Sequence, residues 1–177
     1  MGRGNLFLVG MMGSGKTTLG RALAQRLELP FIDTDRVLVD RTGVPVTTIF
    51  EIEGEDGFRR RESAVLAELA CGEGHVVATG GGAVLTAANR QVMREGGTVI
   101  YLRARLEHLW ERTRHDASRP LLATSDPRAT LASLLEARDP LYREVAHIVV
   151  DTGAQAATTL VSRVVAALRS YEKGNAA

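Results

Sequence analysis

Lysine is nearly missing from this chain of 177 residues: of 22 basic residues, only Lys16 and Lys173 are lysines. Lys173 belongs to a C-terminal tail, which leaves Lys16 as the one lysine in the body of the protein. Cysteine occurs once, as Cys71, and this excludes an intrachain disulfide and any multi-cysteine metal site. No apolar run approaches the ~20 residues that cross a bilayer. Gly10 interrupts the only apolar stretch near the start, so no signal peptide is predicted. A formal net charge of +1 gives no general reason to expect nucleic acid or an anionic membrane as a partner. His75, His108, His115 and His147 show no metal-ligand spacing. These absences predict a soluble, reduced, cytoplasmic protein. With 45% hydrophobic and 24% charged residues, the composition is that of an ordinary globular domain, and the length predicts a single domain over 1–177.

What the chain does have is Gly10-Met11-Met12-Gly13-Ser14-Gly15-Lys16-Thr17, which satisfies the phosphate-loop pattern of Gly, four residues, Gly, Lys, Ser or Thr. Asn5–Val9 before it is short and apolar, like a buried strand. After it, Leu19, Leu23 and Leu27 recur at helical spacing. A strand turning through glycines into a helix aims several backbone N–H groups, and the positive end of the helix, at one point. The backbone of Gly13, Ser14, Gly15, Lys16, Thr17 and Thr18 is therefore the predicted triphosphate cradle. Lys16 would reach the β- and γ-phosphates, and the Thr17 hydroxyl would hold Mg²⁺.

Short apolar runs alternate with amphipathic helices along the rest of the chain. Strands are predicted at Leu6–Val9, Pro30–Asp33, Val76–Thr79, Thr98–Leu102 and His147–Val150. Helices are predicted near Lys16–Leu27, Asp35–Thr42, Gly57–Ala70, Ala87–Glu95, Leu106–Thr113, Pro127–Val145 and Ala156–Tyr171. Such alternation predicts an α/β fold, a parallel sheet covered by helices on both faces, with ligands beyond the carboxyl ends of the strands. Two stretches resist a core assignment. Thr42–Phe58 is broken by Gly43, Pro45, Gly54 and Gly57, and His115–Pro127 is rich in charge, Ser, Thr and Pro. Excursions of this kind form substrate lobes and lids, or surface loops of no consequence.

Chemistry-bearing residues follow the predicted strands. Asp33 and Asp35 are two apart, so on an extended strand both point to one side. One could hold a metal's water shell while the other accepts a proton; alternatively both face solvent, or Asp35 caps the next helix. Arg59-Arg60-Arg61 opens a helix on which all three cannot face one pocket. Arg60 and Arg61 read as a solvated face. Arg59, beside Phe58 and three residues from Glu62, is suited to a substrate carboxylate. Gly80-Gly81-Gly82 lets a ligand approach the backbone and use its N–H groups. Arg119 in the second excursion could stabilise charge on a transferring phosphoryl group. Pro140 is expected to break a helix and place Arg138 at a bend near the pocket.

With these motifs in order over nearly the whole chain, the protein resembles the shikimate kinases of the nucleoside-monophosphate-kinase structural group. The carrying segments are Gly10–Thr17, Phe31-Ile-Asp33-Thr-Asp35, Phe58-Arg59-Arg-Arg-Glu62, Gly80–Gly82, Arg119-Pro-Leu-Leu and Arg138-Asp-Pro-Leu-Tyr142. The resemblance implies a three-layer P-loop fold with a five-stranded parallel sheet in the order 2-3-1-4-5. It implies a substrate-binding segment near 33–62 and a lid near 112–126. The activity it implies is ATP-dependent phosphorylation of the 3-hydroxyl of shikimate, a step in aromatic amino-acid synthesis, with Mg²⁺ as cofactor and a monomer as the assembly.

Residue by residue, it makes Asp35 the base, with Lys16 and Arg119 on the transferring phosphate. Asp33 and Thr17 would serve the metal; Asp35, Arg59, Arg138 and Gly80–Gly82 would bind the substrate; and Arg112 and Gln155 would lie beside the adenine. The chain departs from the family pattern in lacking a proline after Asp151-Thr-Gly-Ala-Gln155. Thr79 ends the third-strand motif where many phosphate-loop proteins carry a metal-holding aspartate. Two other readings share the loop: a gluconate-type kinase, and a nucleotide-binding regulator without catalysis.

Overall fold

The structure is a computed structural model that describes residues 4–175. Five strands, β1 (Asn5–Val9), β2 (Phe31–Asp33), β3 (Val76–Ala78), β4 (Gly97–Ala104) and β5 (Ile148–Thr152), form one sheet in the order β2-β3-β1-β4-β5. All pairings are parallel; Phe7 on β1 lies opposite Val77 of β3 on one side and Val99 of β4 on the other. Parallel strands need crossover helices, which cover both faces, so the central strands read as unbroken apolar runs. β1 is accordingly buried along its whole length.

The helices are α1 (Lys16–Leu27), α2 (Thr34–Thr42), α3 (Val46–Ala70), α4 (Ala87–Gly96), α5 (Leu106–Thr113), α6 (Pro127–Val145) and α7 (Ala157–Asn175). On one face, Leu19 and Leu23 of α1 and Leu160, Val164 and Leu168 of α7 pack onto Leu6, Leu8, Ile100 and Leu102. On the other, Leu66, Met93, Leu109, Leu131 and Val145 cover Phe7, Val77 and Val99. Removing a side chain the size of Leu23 or Phe7 from water contributes about 2 kcal/mol each. That sum drives closure of the three layers.

The stretch 42–58 differs from its sequence reading. Gly43 is the left-handed C-cap of α2 and Pro45 the N-cap of α3, so these residues punctuate helix ends. Only Gly54 (φ 69°, ψ −178°) interrupts, as a kink inside α3. Ile49 and Phe58, brought together across that kink, close a small core with Leu38 and Val65. Phe50 packs against Phe58 with ring centroids 4.7 Å apart and the planes tilted by 36°. The substrate lobe is thus a folded unit with its own apolar support.

Asn5 ties the start of β1 to the end of α3. Its fully buried amide donates to the Leu69 and Gly72 carbonyls at 2.8 and 2.9 Å and accepts from the His75 backbone N–H at 3.0 Å. Asn5→Ala strands two carbonyls and one N–H in the interior. It is expected to lower stability by about 2–3 kcal/mol, read from urea unfolding, with turnover per folded molecule unchanged.

Candidate active site

The loop between β1 and α1 has the shape its glycines permit. Gly13 (φ 79°) and Gly15 (φ 93°) take left-handed conformations, and Gly15 caps α1 without a side chain. The first helical bond is Leu19 N–H to the Gly15 carbonyl. The N–H groups of Lys16, Thr17 and Thr18 therefore have no partner within the helix and face the loop's concavity. Lys16 Nζ folds over the loop onto the Gly10 and Met11 carbonyls at 2.7 and 2.9 Å. Burial lowers its pKa to about 8, with Arg119 and Arg138 pushing the same way and Asp35 and Asp33 opposing.

Asp33 and Asp35 converge, by a different route from the one their spacing predicts. β2 ends at Asp33 and α2 begins at Thr34, so Asp35 lies in a helical first turn and not on a strand. Asp33, not Asp35, is the cap: its Oδ1 accepts from the Asp35 and Arg36 N–H groups at 3.1 and 3.4 Å. Its Oδ2 accepts from the Thr17 hydroxyl at 2.8 Å. Asp35 Oδ1 is buried and has no partner among the described residues. Burial first, and the Asp33 charge second, raise its pKa above the ordinary carboxylate value, against the pull of Lys16, Arg119 and Arg59.

The donor set fits Mg²⁺. Thr17 and Asp33 supply two hard oxygens beside the loop, and no group of three or more His, Cys, Asp or Glu side chains among the described residues could cage a metal. Mg²⁺ commonly takes one or two protein oxygens and completes its shell with phosphates and water. The buried Thr79 hydroxyl donates to the Leu8 carbonyl at 3.0 Å.

Opposite Asp35 stand two arginines. Arg59 Nη1 donates to Glu62 Oε2 at 2.8 Å and Nη2 to Glu55 Oε1 at 3.2 Å, with the guanidinium 5.2 Å from the centroid of the Phe58 ring. Arg138 is 2% exposed, and its Nε and Nη1 have no partner among the described residues. It does not sit at a bend: α6 runs on through Pro140, which leaves only the Glu136 carbonyl without its helical donor. Glu62 is wholly buried; burial raises its pKa against the pull of Arg59, and its Oε1 is also unpartnered.

The Gly80–Gly82 turn lies between these arginines. A Cβ on Gly81 would come 3.5 Å from Arg138 Nη1, and one on Gly82 would collide with the Arg59 guanidinium. Not all of its N–H groups are available, as the sequence reading supposes: Gly80 N–H donates to the buried Thr34 hydroxyl at 3.2 Å. The Gly81 carbonyl accepts from the Tyr142 hydroxyl.

The segment between α5 and α6, residues 114–126, begins two residues later than the predicted lid, because Arg112 and Thr113 complete α5. Arg119 Nε donates to Asp116 Oδ2 at 2.9 Å, while Asp116 Oδ1 accepts from the Ser118 N–H at 2.9 Å. This leaves the two Nη groups of Arg119 to the cleft. Arg112 bridges the Gly13 and Gly153 carbonyls at 3.0 Å each. Gln155 Nε2 donates to the Asp151 carbonyl at 3.1 Å. Arg112 lines the phosphate cavity, whereas Gln155 lines a neighbouring cleft with His108 and Gly153.

Two cavities result: one of about 500 Å³ lined by Phe50, Phe58, Arg59, Gly82, Leu121 and Arg138, and one of about 270 Å³ over the phosphate loop. Thr17, Asp33, Asp35, Gly80, Gly81 and Arg119 line both. The chambers share a wall, and Asp35 is in it.

A phosphate-loop sheet whose nucleotide cradle opens across one carboxylate onto a small, arginine-lined acceptor chamber defines a small-molecule kinase. Comparison with known proteins narrows the class. The profile of the shikimate kinase family matches residues 12–169. The shikimate kinase of Nitrosospira multiformis is 63% identical over 150 residues, 85% of this chain and 77% of the relative. A solved shikimate kinase from Acinetobacter baumannii, in complex with shikimate, superposes with a TM-score of 0.93 at 45% identity, covering 95% of this chain and 94% of the other. A gluconokinase from Sinorhizobium meliloti is less similar, with a TM-score of 0.64 at 25% identity over 96% and 94% of the two chains. The chain belongs to the shikimate kinase family.

Sequence reasoning missed Thr34 and Tyr142. Tyr142 had a usable signal: it is four residues from Arg138, hence on the same helix face. Thr34 had none beyond lying between two aspartates. Gly82 (φ −98°) has a backbone that alanine accepts, so Gly82→Ala acts only by displacing Arg59. It is expected to raise the KM for shikimate roughly tenfold or more while the KM for ATP changes less than about twofold, measured by coupled ADP release.

Proposed function

We propose that this chain transfers the γ-phosphoryl group of ATP to the 3-hydroxyl of shikimate, giving shikimate 3-phosphate and ADP for aromatic amino-acid biosynthesis. The observation that carries the reading within the family is the set of buried, unpartnered polar atoms around the acceptor chamber: Asp35 Oδ1 and Arg138 Nε and Nη1. Shikimate has hydroxyls for the first and a carboxylate for the second. Arg59 and Arg138 grip the carboxylate, and Phe50, Phe58 and Leu121 border the ring.

Asp35, already disfavoured as an anion, accepts the proton of the 3-hydroxyl as that oxygen bonds to the γ-phosphorus and the bond to the leaving ADP oxygen breaks. Lys16 and the loop N–H groups hold the charge on the phosphates, and the free Nη groups of Arg119 reach the transferring group from the lid. Closure of 114–126 excludes water, the competing acceptor. Thr17 and Asp33 would hold Mg²⁺, which would supply neutralisation of the phosphate charge. Arg112 donates through Nη1 and Nη2 to two carbonyls, which leaves its face for the adenine, with Gln155 beside Gly153. The reading carries with it a cytoplasmic monomer; sedimentation at working concentration tests the assembly.

Incubation with Mg²⁺, ATP and shikimate is expected to release ADP in a shikimate-dependent way, with gluconate and no-acceptor controls silent. Release with gluconate alone would move the chain to the sister kinases. Asp35→Asn should keep ATP binding and lose turnover by about a hundredfold or more. Because the native pKa of Asp35 is raised, the native state holds its proton more tightly than the unfolded chain, and ionising it near neutral pH costs stability. The asparagine variant should therefore melt no lower than the parent at pH 8.

The pH profile of kcat/KM for ATP should fall on the alkaline side near 8, where free Lys16 loses its proton. Bound phosphates favour the charged amine, so the alkaline limb of kcat should lie higher. Coinciding limbs would remove Lys16 titration as their cause.

A further inference from the structure

We infer that Thr34 and Tyr142 are positioning residues, whose hydroxyls hold the Gly80–Gly82 turn in the one orientation that its backbone takes beside Arg59 and Arg138. A glycine triplet has more conformational freedom than any other, and the chamber needs one orientation of it. Four bonds limit the choice. Thr34, wholly buried at the start of α2, accepts from the Gly80 N–H at 3.2 Å. Tyr142, wholly buried on α6, donates to the Gly81 carbonyl. The Gly80 and Gly82 carbonyls accept from Ala83 and Leu85 at 3.1 Å each.

A trans peptide is planar, so its N–H points opposite to its C=O. Fixing the Gly81 carbonyl on Tyr142 therefore points the Gly82 N–H, within the same plane, away from Tyr142, and among the described residues it meets no acceptor. Gly82 abuts the Arg59 guanidinium and Gly81 lies beside Arg138, so the turn sits between the two cations. Tyr142 is itself held: its ring stacks on Tyr101 at 4.9 Å, and the Tyr101 hydroxyl donates to Asp139 at 2.7 Å. One face of α6 thus presents both Arg138 and the hydroxyl that orients the turn opposite it.

This inference rests on the shikimate-phosphorylating reading, and its test separates the two. Tyr142→Phe and Thr34→Val each remove one hydroxyl with little change of shape. In each, the KM for shikimate is expected to rise about tenfold, the loss of one buried hydrogen bond, with the KM for ATP within about twofold. The two effects should combine less than additively in the double variant, because both act on one turn. Amide exchange at Gly80, Ala83 and Leu85, the hydrogen-bonded N–H groups of the turn, should quicken in both variants in the ligand-free protein, with exchange elsewhere unchanged. Equal shifts in both Michaelis constants, unchanged exchange at the turn, or faster exchange throughout the chain would each overturn the inference. The exchange arm needs no turnover, so it decides the role of the hydroxyls even if the wild-type protein fails to phosphorylate shikimate.

Discussion

Everything around the acceptor chamber depends on polar atoms that the protein buries and leaves unpaired. Asp35 Oδ1, Glu62 Oε1 and Arg138 Nε and Nη1 all lie out of solvent without a partner among the described residues. Each such atom costs about 1–3 kcal/mol, and more where charge is involved. The three-layer core and the small core of the substrate lobe offset that cost. A ligand that supplies the missing partners recovers it, and one that lacks them does not. Recognition here is written as unsatisfied hydrogen bonding held rigid by apolar packing.

The same arrangement couples the two substrates. Asp35 and Gly80–Gly81 belong to both cavities, so in the proposed reaction the acceptor's hydroxyl and the terminal phosphate would meet at one wall without a connecting motion of the sheet. The charges are graded: Asp33 is engaged by Thr17 and by the start of α2, whereas Asp35 is left free and disfavoured as an anion. Two carboxylates two residues apart thereby stand in different surroundings, which is what suits them to the different work proposed for them. Arg119 is tethered through Nε, which keeps it near the wall and leaves its other donors to the cleft.

Much of this was legible in the chain because steric rules are strict where the chemistry is. The loop pattern, the helix over Lys16–Leu27 and the helices over Leu106–Thr113 and Pro127–Val145 are where the apolar spacing and the Pro and Gly signals put them. The sheet order matches that implied by the family resemblance. Punctuation was harder to read. Gly43 and Pro45 look like loop residues but cap helices, so the helical substrate lobe before Gly54 was hidden, and Pro140 failed to break α6. Long-range hydroxyl contacts were out of reach: Thr34 and Tyr142 meet the glycine turn from 46 and 61 residues away, and no local pattern encodes that.

The central claim is that the buried cations exist to receive a carboxylate. Titration calorimetry of shikimate against its methyl ester, which keeps the ring and hydroxyls but removes the negative charge, tests it most directly. The account predicts that the ester binds at least about a hundredfold more weakly, since two arginines lose their partner. Equal affinity for the two would contradict it.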